Sequence, residues 1–416
     1  MTRALAEVHS TTGITPVIGL PIDFNNNKTI DIHKDLMSEL KKVICEFGLL
    51  TRNREECFSK FKAALSIPRV REILEYDIPK VNDLSDLLKV ENNGRVFAIR
   101  MDLLKGVGNL KKPVIAGLIL KNIIMGKIPR PGIDSLADAG NMNTGFALRY
   151  FCNKFGLNGL YIMSHHFPQD MVQLLMTKTF RVIQSPGYAK GGIEEEFYGY
   201  LLTIMKSKEN RNRIHCLWHA KYGGRVLSPL AEEIAQGLDG PPDYIVVSSG
   251  SGATLECLQG IQTYFSTLLK RKSEIVLCEH VNTPIYSLLR PWHASVGSPT
   301  PIKEYCSKNG FNQKRFRTPP SQSIPHSVLG PHYNTVNPFL RREIIESVEH
   351  VQKFVDIEWM QMSHYLESQN LGVGNSSAAN ISVATNLANR GYKVLTVIVE
   401  PMRSYYKVDR LNKSSN

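Results

Sequence analysis

Three times along this chain a short apolar run ends in a cluster of small residues and gives way to a helix-like stretch. The runs are 95–101, 133–136 and 243–247. The clusters that follow them contain Gly106 and Gly108, Gly140 and Gly145, and Gly250 and Gly252. A fourth small-residue turn, with Gly372 and Gly374, also opens a helical run. Strands joined through helices must run parallel, because a parallel pair needs a long crossover. The repeated strand, turn, helix order therefore implies an α/β fold with mostly parallel sheets. With 416 residues, the chain has room for two or three domains at about 150 residues each.

Residues 1–30 read as an irregular lead-in, and 31–64 as one or two amphipathic helices carrying Leu36, Leu40, Val43, Ile44 and Phe47. Further helices are expected at 113–125, where Pro113 suits a first turn, and at 143–155, 168–177 and 192–205. Strands are expected at 159–163, 180–183 and 274–278, and a long Pro- and Ser-rich loop at 296–330. After Asn337 the pattern predicts a helix that includes 351–367, then a glycine-rich turn, a helix through Asn389 and a strand at 393–399.

Several function classes fall away. No uncharged apolar run reaches the roughly 18 residues needed to span a bilayer, and the opening MTRALAEVHS lacks a secretory pattern. Seven widely spaced cysteines without a CxxC fit neither a disulfide framework nor a zinc site, and suit a reducing, cytoplasmic setting. No HExxH spacing marks a metal site. The formal charge of +12 alone suggests an anionic partner. No basic block or nucleic-acid module accompanies it, so nucleic acid is not the expected partner.

Four segments can carry chemistry. In Gly250-Ser251-Gly252-Ala253-Thr254, small residues let backbone N–H groups approach a phosphate at a helix start. The same turn also serves without a ligand, and it is neither a Walker loop nor a full dinucleotide fingerprint. In Asp102-Leu103-Leu104-Lys105-Gly106-Val107-Gly108-Asn109-Leu110-Lys111-Lys112-Pro113, two lysines stand at the mouth of a helix. There a positive end potential lowers a lysine's pKa and fits it for Schiff-base chemistry, although two solvated surface lysines would look alike. Ala139-Gly140-Asn141-Met142-Asn143-Thr144-Gly145 offers donors to an anion, or simply caps its helix. Gly374-Asn375-Ser376-Ser377-Ala378-Ala379-Asn380 has the same design.

In this order the segments resemble the cysteine synthase / cystathionine β-synthase family, the fold-type II enzymes that use pyridoxal phosphate (PLP). The family's E-x-x-N-P-x-G-S-x-K-D-R is similar to the stretch from Asp102 to Lys111, with the same nine-residue interval. Its T-S-G-N-T-G is similar to 139–145, its G-T-G-G-T to 250–254, and its G-I-S-S-G-A-N to 374–380. Gly126-Lys127-Ile128-Pro129-Arg130-Pro131-Gly132 and Gly330-Pro331-His332 also find counterparts in order. The resemblance runs from about 77 to 406.

The resemblance implies a two-domain, tryptophan synthase β-like α/β architecture. Residues 106–212 would form the smaller domain, 71–105 with 213–416 the larger, and 1–70 an unassigned extension. It further implies PLP on Lys111 and β-elimination or β-replacement on serine or an O-activated serine, through an aldimine and an aminoacrylate. Gly250, Ser251, Gly252, Ala253 and Thr254 would hold the phosphate, and Asn141 or Asn143 the ring oxygen. Ala139, Gly140 and Thr144 would receive the substrate. Ser404, with Met402 and Arg403 as rivals, would meet the ring nitrogen. A homodimer is implied likewise. Departures include Lys112-Pro113 in place of D-R and Ala139 in place of Ser. Cys216-Leu217-Trp218-His219-Ala220-Lys221 stands where the family has Q-F-x-N-P. These changes leave open a non-catalytic binding or regulatory protein on the same scaffold.

Overall fold

The structure, a computed structural model, describes residues 34–163, 167, 169–185, 198–207, 210, 212–281 and 342–402. The expected lead-in, the loop at 296–330, Gly330-Pro331-His332, Arg403 and Ser404 lie outside these residues, as do 192–197 of the helix expected at 192–205, whose remainder is helical at Tyr200–Met205.

The described strands are β1 (Lys80–Asp83), β2 (Arg95–Arg100), β3 (Ser135–Ala139), β4 (Asn158–Met163), β5 (Phe180–Gln184), β6 (Ile214–Cys216), β7 (Tyr244–Ser248), β8 (Glu274–His280), β9 (Val348–Phe354) and β10 (Lys393–Ile398). They form two sheets, ordered β1-β2-β10-β7-β8-β9 and β5-β4-β3-β6. Every pairing between neighbouring strands is parallel except β1 with β2. Parallel strands covered on both faces read as unbroken apolar runs. That is why Val96, Phe97, Ala98 and Ile99 of β2 are all buried, as is every residue of β4. The antiparallel β1 is short and exposes Lys80 and Asp83, features that blunt an edge strand.

Helices that matter for the site are α1 (Lys34–Glu46), α2 (Arg54–Leu65), α3 (Pro68–Leu74), α4 (Lys111–Ile124), α5 (Met142–Lys154), α6 (His219–Leu227), α7 (Ala253–Leu269), α8 (Asp356–Ser368) and α9 (Asn375–Ala388). The sequence KKPVIAGLILKNII of α4 is apolar nearly all round and is buried nearly all round. Gly117 lets α6 come close, since a Cβ there would lie 2.8 Å from the Val226 Cβ. The helices at 34–74, unassigned in the sequence, share the large apolar cluster with α4. Phe61, Ile73, Leu74 and Tyr76 are buried with Val114, Ile115 and Leu118. No helix among the described residues is long and apolar enough to cross a membrane.

Three expectations change. The helix expected to include Val351 begins only at Asp356, and 348–354 is instead the edge strand β9 against β8. The valine spacing fits a helical stripe, but pairing along β8 takes the segment into the sheet. The side chain of Glu358 accepts the N–H of Val355 at 2.9 Å and starts α8 there. Helix α4 begins at Lys111, not at Pro113. Strand β6 pairs with β3, so the four-stranded sheet runs past residue 212 to Cys216.

Candidate active site

The loops that matter leave the C-terminal ends of parallel strands, where open α/β sheets commonly bind ligands. Strand β3 leads into Gly140, β7 into the Gly250 turn, and β10 toward Glu400.

Two adjacent lysines open α4, and successive helical side chains point about 100° apart. Lys112 is fully buried, with Nζ 3.2 Å from both Glu75 Oε2 and Asp77 Oδ2. Half-buried Lys111 turns elsewhere and donates from Nζ to Ser251 Oγ at 3.2 Å. The structure thus brings Lys111, and not Lys112, to the glycine turn. Burial lowers the Lys111 pKa to about 8 against the pull of the Asp138 and Glu400 carboxylates. Buried Asn109 fixes the start of α4. Its Oδ1 accepts the Lys111 N–H at 2.8 Å, and its Nδ2 donates to the Asn143 carbonyl at 3.3 Å. Leu110 N–H reaches the Val399 carbonyl at 2.8 Å, tying the same turn to the end of β10.

The lowered value has a stability signature. Below about pH 8 folded and unfolded chains both carry the Lys111 proton, and the cost of burying the charge is present in full. Between about 8 and the ordinary 10.5 the unfolded chain holds more protons, so stability rises with pH. Denaturant titrations of the protein without added ligand should show Lys111→Met more stable than wild type near pH 7, with the gap closing near pH 10.

In the turn after β7, Gly252 adopts φ +84° as the cap of α7, and no side chain caps that helix. A β-carbon is strained at such an angle. The first N–H groups of α7 have no intrahelical partner and suit an anion. Gly250, Ser251, Gly252, Ala253 and Thr254 therefore sit together at one helix mouth, with the Lys111 amine at the Ser251 hydroxyl. The turn is pinned from α9. Asn380 Oδ1 accepts the Ser248 N–H at 2.8 Å, and Ser377 Oγ accepts the Val399 N–H at 3.0 Å. Asn380→Ala would strip the half-buried Ser248 N–H of its acceptor, a loss of about 1 kcal/mol. Thermal unfolding of the variant would measure it.

In the turn after β3, Ala139 is buried and Gly140 takes φ +149°. Asn141 caps α5 with its backbone only, and its carbonyl accepts from Tyr161 Oη at 2.6 Å. Asn141 Oδ1, Asn143 Oδ1 and Thr144 Oγ1 are buried with no hydrogen-bond partner among the described residues. Buried polar atoms in native folds are nearly always paired, so three together mark a place for a polar ligand. Asn143 Nδ2 donates to Glu400 Oε2. The uncapped α7 suits the phosphate of PLP and the lowered lysine its aldehyde, while the Thr144 hydroxyl and the Asn141 and Asn143 amides offer donors to its ring oxygen or to a substrate carboxylate. The PLP ring oxygen accepts, so the group that would meet it is an amide Nδ2; Asn141 and Asn143 each carry one, and that of Asn143 also donates to Glu400.

The sequence reading missed Asn109 and Glu400, and missed that Asp138, Tyr198 and His219 meet beside Gly140. A charged residue inside the apolar strand SLADA was the available signal. Met402, a rival to Ser404, is half-buried with its N–H on the Gly372 carbonyl at 2.9 Å.

No family model matches the chain. The O-acetylserine dependent cystathionine beta-synthase of Bacillus subtilis is 23% identical over 187 residues, 43% of this chain and 58% of that protein. The cystathionine beta-synthase of Oryctolagus cuniculus is 22% identical over 189 residues, 44% of this chain and 34% of that protein. The matched region thus spans less than two thirds of either relative. Among solved structures, an O-acetyl serine sulfhydrylase isoform from Entamoeba histolytica superposes with a TM-score of 0.59 at 16% identity, over 81% of this chain and 90% of that one. An O-ureido-L-serine synthase does so with a TM-score of 0.59 at 14% identity, over 80% and 92%. The α/β architecture with mostly parallel sheets is that of the fold-type II enzymes. In sequence and in fold, the similarity of this chain is to the cysteine synthase / cystathionine β-synthase family.

Proposed function

We propose that the chain is a PLP-dependent enzyme that performs β-elimination or β-replacement on serine or an O-activated serine. The observation that carries this reading is the Lys111 amine, its pKa lowered to about 8, held at Ser251 of an uncapped glycine turn. When bound, PLP would supply the electron sink that makes an amino-acid α-proton removable. The protein's part is positioning and proton transfer. The 250–254 turn holds the phosphate, and Asn141 or Asn143 meets the ring oxygen. Ala139, Gly140 and Thr144 receive the substrate carboxylate, and Lys111 takes the α-proton. Ser404 remains our proposal for the ring nitrogen by resemblance.

By the same resemblance we place the small domain around the four-stranded sheet and the large domain around the six-stranded one, and expect a homodimer; the cysteine usage supports a cytoplasmic setting. The similarity to an O-acetylserine dependent relative supports an O-activated serine as one substrate. The test is PLP titration of the purified protein followed by assay with O-acetyl-L-serine and a thiol. A visible PLP band lost in Lys111→Ala, together with thioether or cysteine formation, is expected. A Lys111-dependent band without turnover of any serine derivative would replace this reading with a binding or regulatory protein.

A further inference from the structure

We propose that His219 is a second proton carrier of this site, and that it equips the enzyme for a substrate with an unactivated β-hydroxyl, serine itself. The inference rests on the reaction class proposed above and specifies its substrate.

Strand β6 sets the arrangement. Its pairing with β3 continues through the Leu217 N–H on the Ala137 carbonyl at 2.9 Å, which delivers His219 beside Asp138. Asp138 is fully buried and His219 is 4% exposed. A buried carboxylate survives only when its lone pairs are met. Here Asp138 Oδ1 accepts from the Ala139 N–H at 2.8 Å and from Tyr198 Oη at 2.8 Å, and Oδ2 accepts from the His219 N–H at 3.1 Å. His219 Nδ1 lies 3.1 Å from both Asp138 Oδ1 and Tyr198 Oη. An ionised carboxylate has no proton to offer, and the Tyr198 proton is already directed at it. Nδ1 must therefore carry the hydrogen. Nε2 is then the ring atom that can gain and give up a proton, the same logic by which an aspartate holds a catalytic histidine.

The other edge of the ring faces the substrate turn. A Cβ built on Gly140 would lie 3.1 Å from His219 Cε1 and 3.6 Å from Nε2. Glycine is what lets the ring and the turn approach. The Asp138 carboxylate is also close enough to Lys111 to act on its amine electrostatically. The preceding Trp218 is held at φ +61°, an unusual angle for a bulky residue. Its ring stacks on Tyr198 with centroids 4.9 Å apart. Strain of this kind persists where surroundings over-determine a functional geometry.

The chemistry separates two substrates. An O-acyl group leaves as a stable carboxylate and needs no proton. A hydroxyl leaves as hydroxide unless an acid protonates it. With serine, the Lys111 amine takes the α-proton, and the electrons of that bond form the Cα–Cβ double bond. The Cβ–O bond breaks with its pair on oxygen, which takes the Nε2 proton of the His219 imidazolium and departs as water. When a thiol adds, its sulfur bonds Cβ, its proton goes to the neutral Nε2, and the Lys111 ammonium returns a proton to Cα. The net change is serine plus thiol to thioether plus water.

The experiment compares wild type, His219→Gln and His219→Ala on L-serine and on O-acetyl-L-serine with one thiol. The kcat/KM for L-serine should fall about 10²–10⁴-fold, the usual worth of a positioned acid–base group, while that for O-acetyl-L-serine, which reports only the steps up to acetate release and not the thiol addition, should change only a few-fold. L-Serine affinity by calorimetry should hold within a few-fold, and Tyr198→Phe should show a smaller loss in the same direction. O-acetylserine turnover is also the folding control. Equal losses on both substrates, including a general loss from misfolding in both variants, would overturn the inference. So would a wild type that turns over O-acetyl-L-serine but not L-serine. Absence of the Lys111-dependent PLP band would instead sink the reaction class.

Discussion

Lys111→Ala should lower β-replacement turnover by about 10²–10⁴-fold, the range expected for losing a positioned general base. It should also remove the visible band that PLP develops with the wild-type protein. The physical case is the amine's position and protonation. A lysine with its ordinary value near 10.5 is almost wholly charged at neutral pH and cannot accept a proton, whereas one lowered to about 8 has a usable neutral fraction. Burial does most of this work, and the nearby Asp138 and Glu400 carboxylates limit it. Formation of the PLP band by the cofactor-free protein should quicken as pH rises through about 8, because the neutral amine is the nucleophile. Lys111→Arg should not rescue, because a guanidinium stays protonated. A Lys111→Ala protein with undiminished turnover would show that the base lies elsewhere.

Much of this arrangement was legible in the sequence, for identifiable reasons. The runs 96–99 and 244–247 are apolar because parallel strands are covered on both faces, and such strands announce themselves. The glycine turns were visible because Gly140 and Gly252 occupy positive φ, where other residues are strained. Which of the two lysines faces the glycine turn was only half legible. The direction of each depends on where α4 starts, and Pro113 marks that start only to within a few residues. Moving the start by two positions rotates each side chain by about 200°. The segment 348–354 was misread because its valines fit a helical stripe as well as an edge strand. Least legible were the groups assembled by tertiary pairing. Tyr198 lies 60 positions from Asp138, His219 lies 81 from it, and Asn143 lies 257 from Glu400. Nothing local in the sequence connects them, and only the β3–β6 pairing and the approach of α5 to the end of β10 do.

The neighbouring lysine should behave in the opposite way, with a large effect on stability and none on the PLP band. Lys112 is fully buried against Glu75 and Asp77, each at 3.2 Å. Removing one partner of a wholly buried ion pair costs about 3–5 kcal/mol. Glu75 and Asp77 are partly solvated, and Glu75 keeps Tyr150 Oη at 2.7 Å and the Lys154 ammonium. The charge left behind is therefore eased, but the vacated stem space is not, so Lys112→Ala should lose about 2–4 kcal/mol. Lys112→Met fills that space without the charge and should lose less. The pH dependence adds a second reading. Burial raises the Glu75 pKa, but hydrogen bonds from Lys154, Tyr150 and Lys112 outweigh it and leave the value below its ordinary 4.5. A depressed carboxyl stabilises the fold above its unfolded value and loses that contribution as pH falls through the folded one. Wild-type stability should therefore drop on acidification below about pH 4.5, and more gently in Lys112→Ala, where one of the three bonds is gone. Denaturant titrations across that range measure both effects. Loss of the PLP band in a folded Lys112→Ala protein would reverse the assignment of the two lysines.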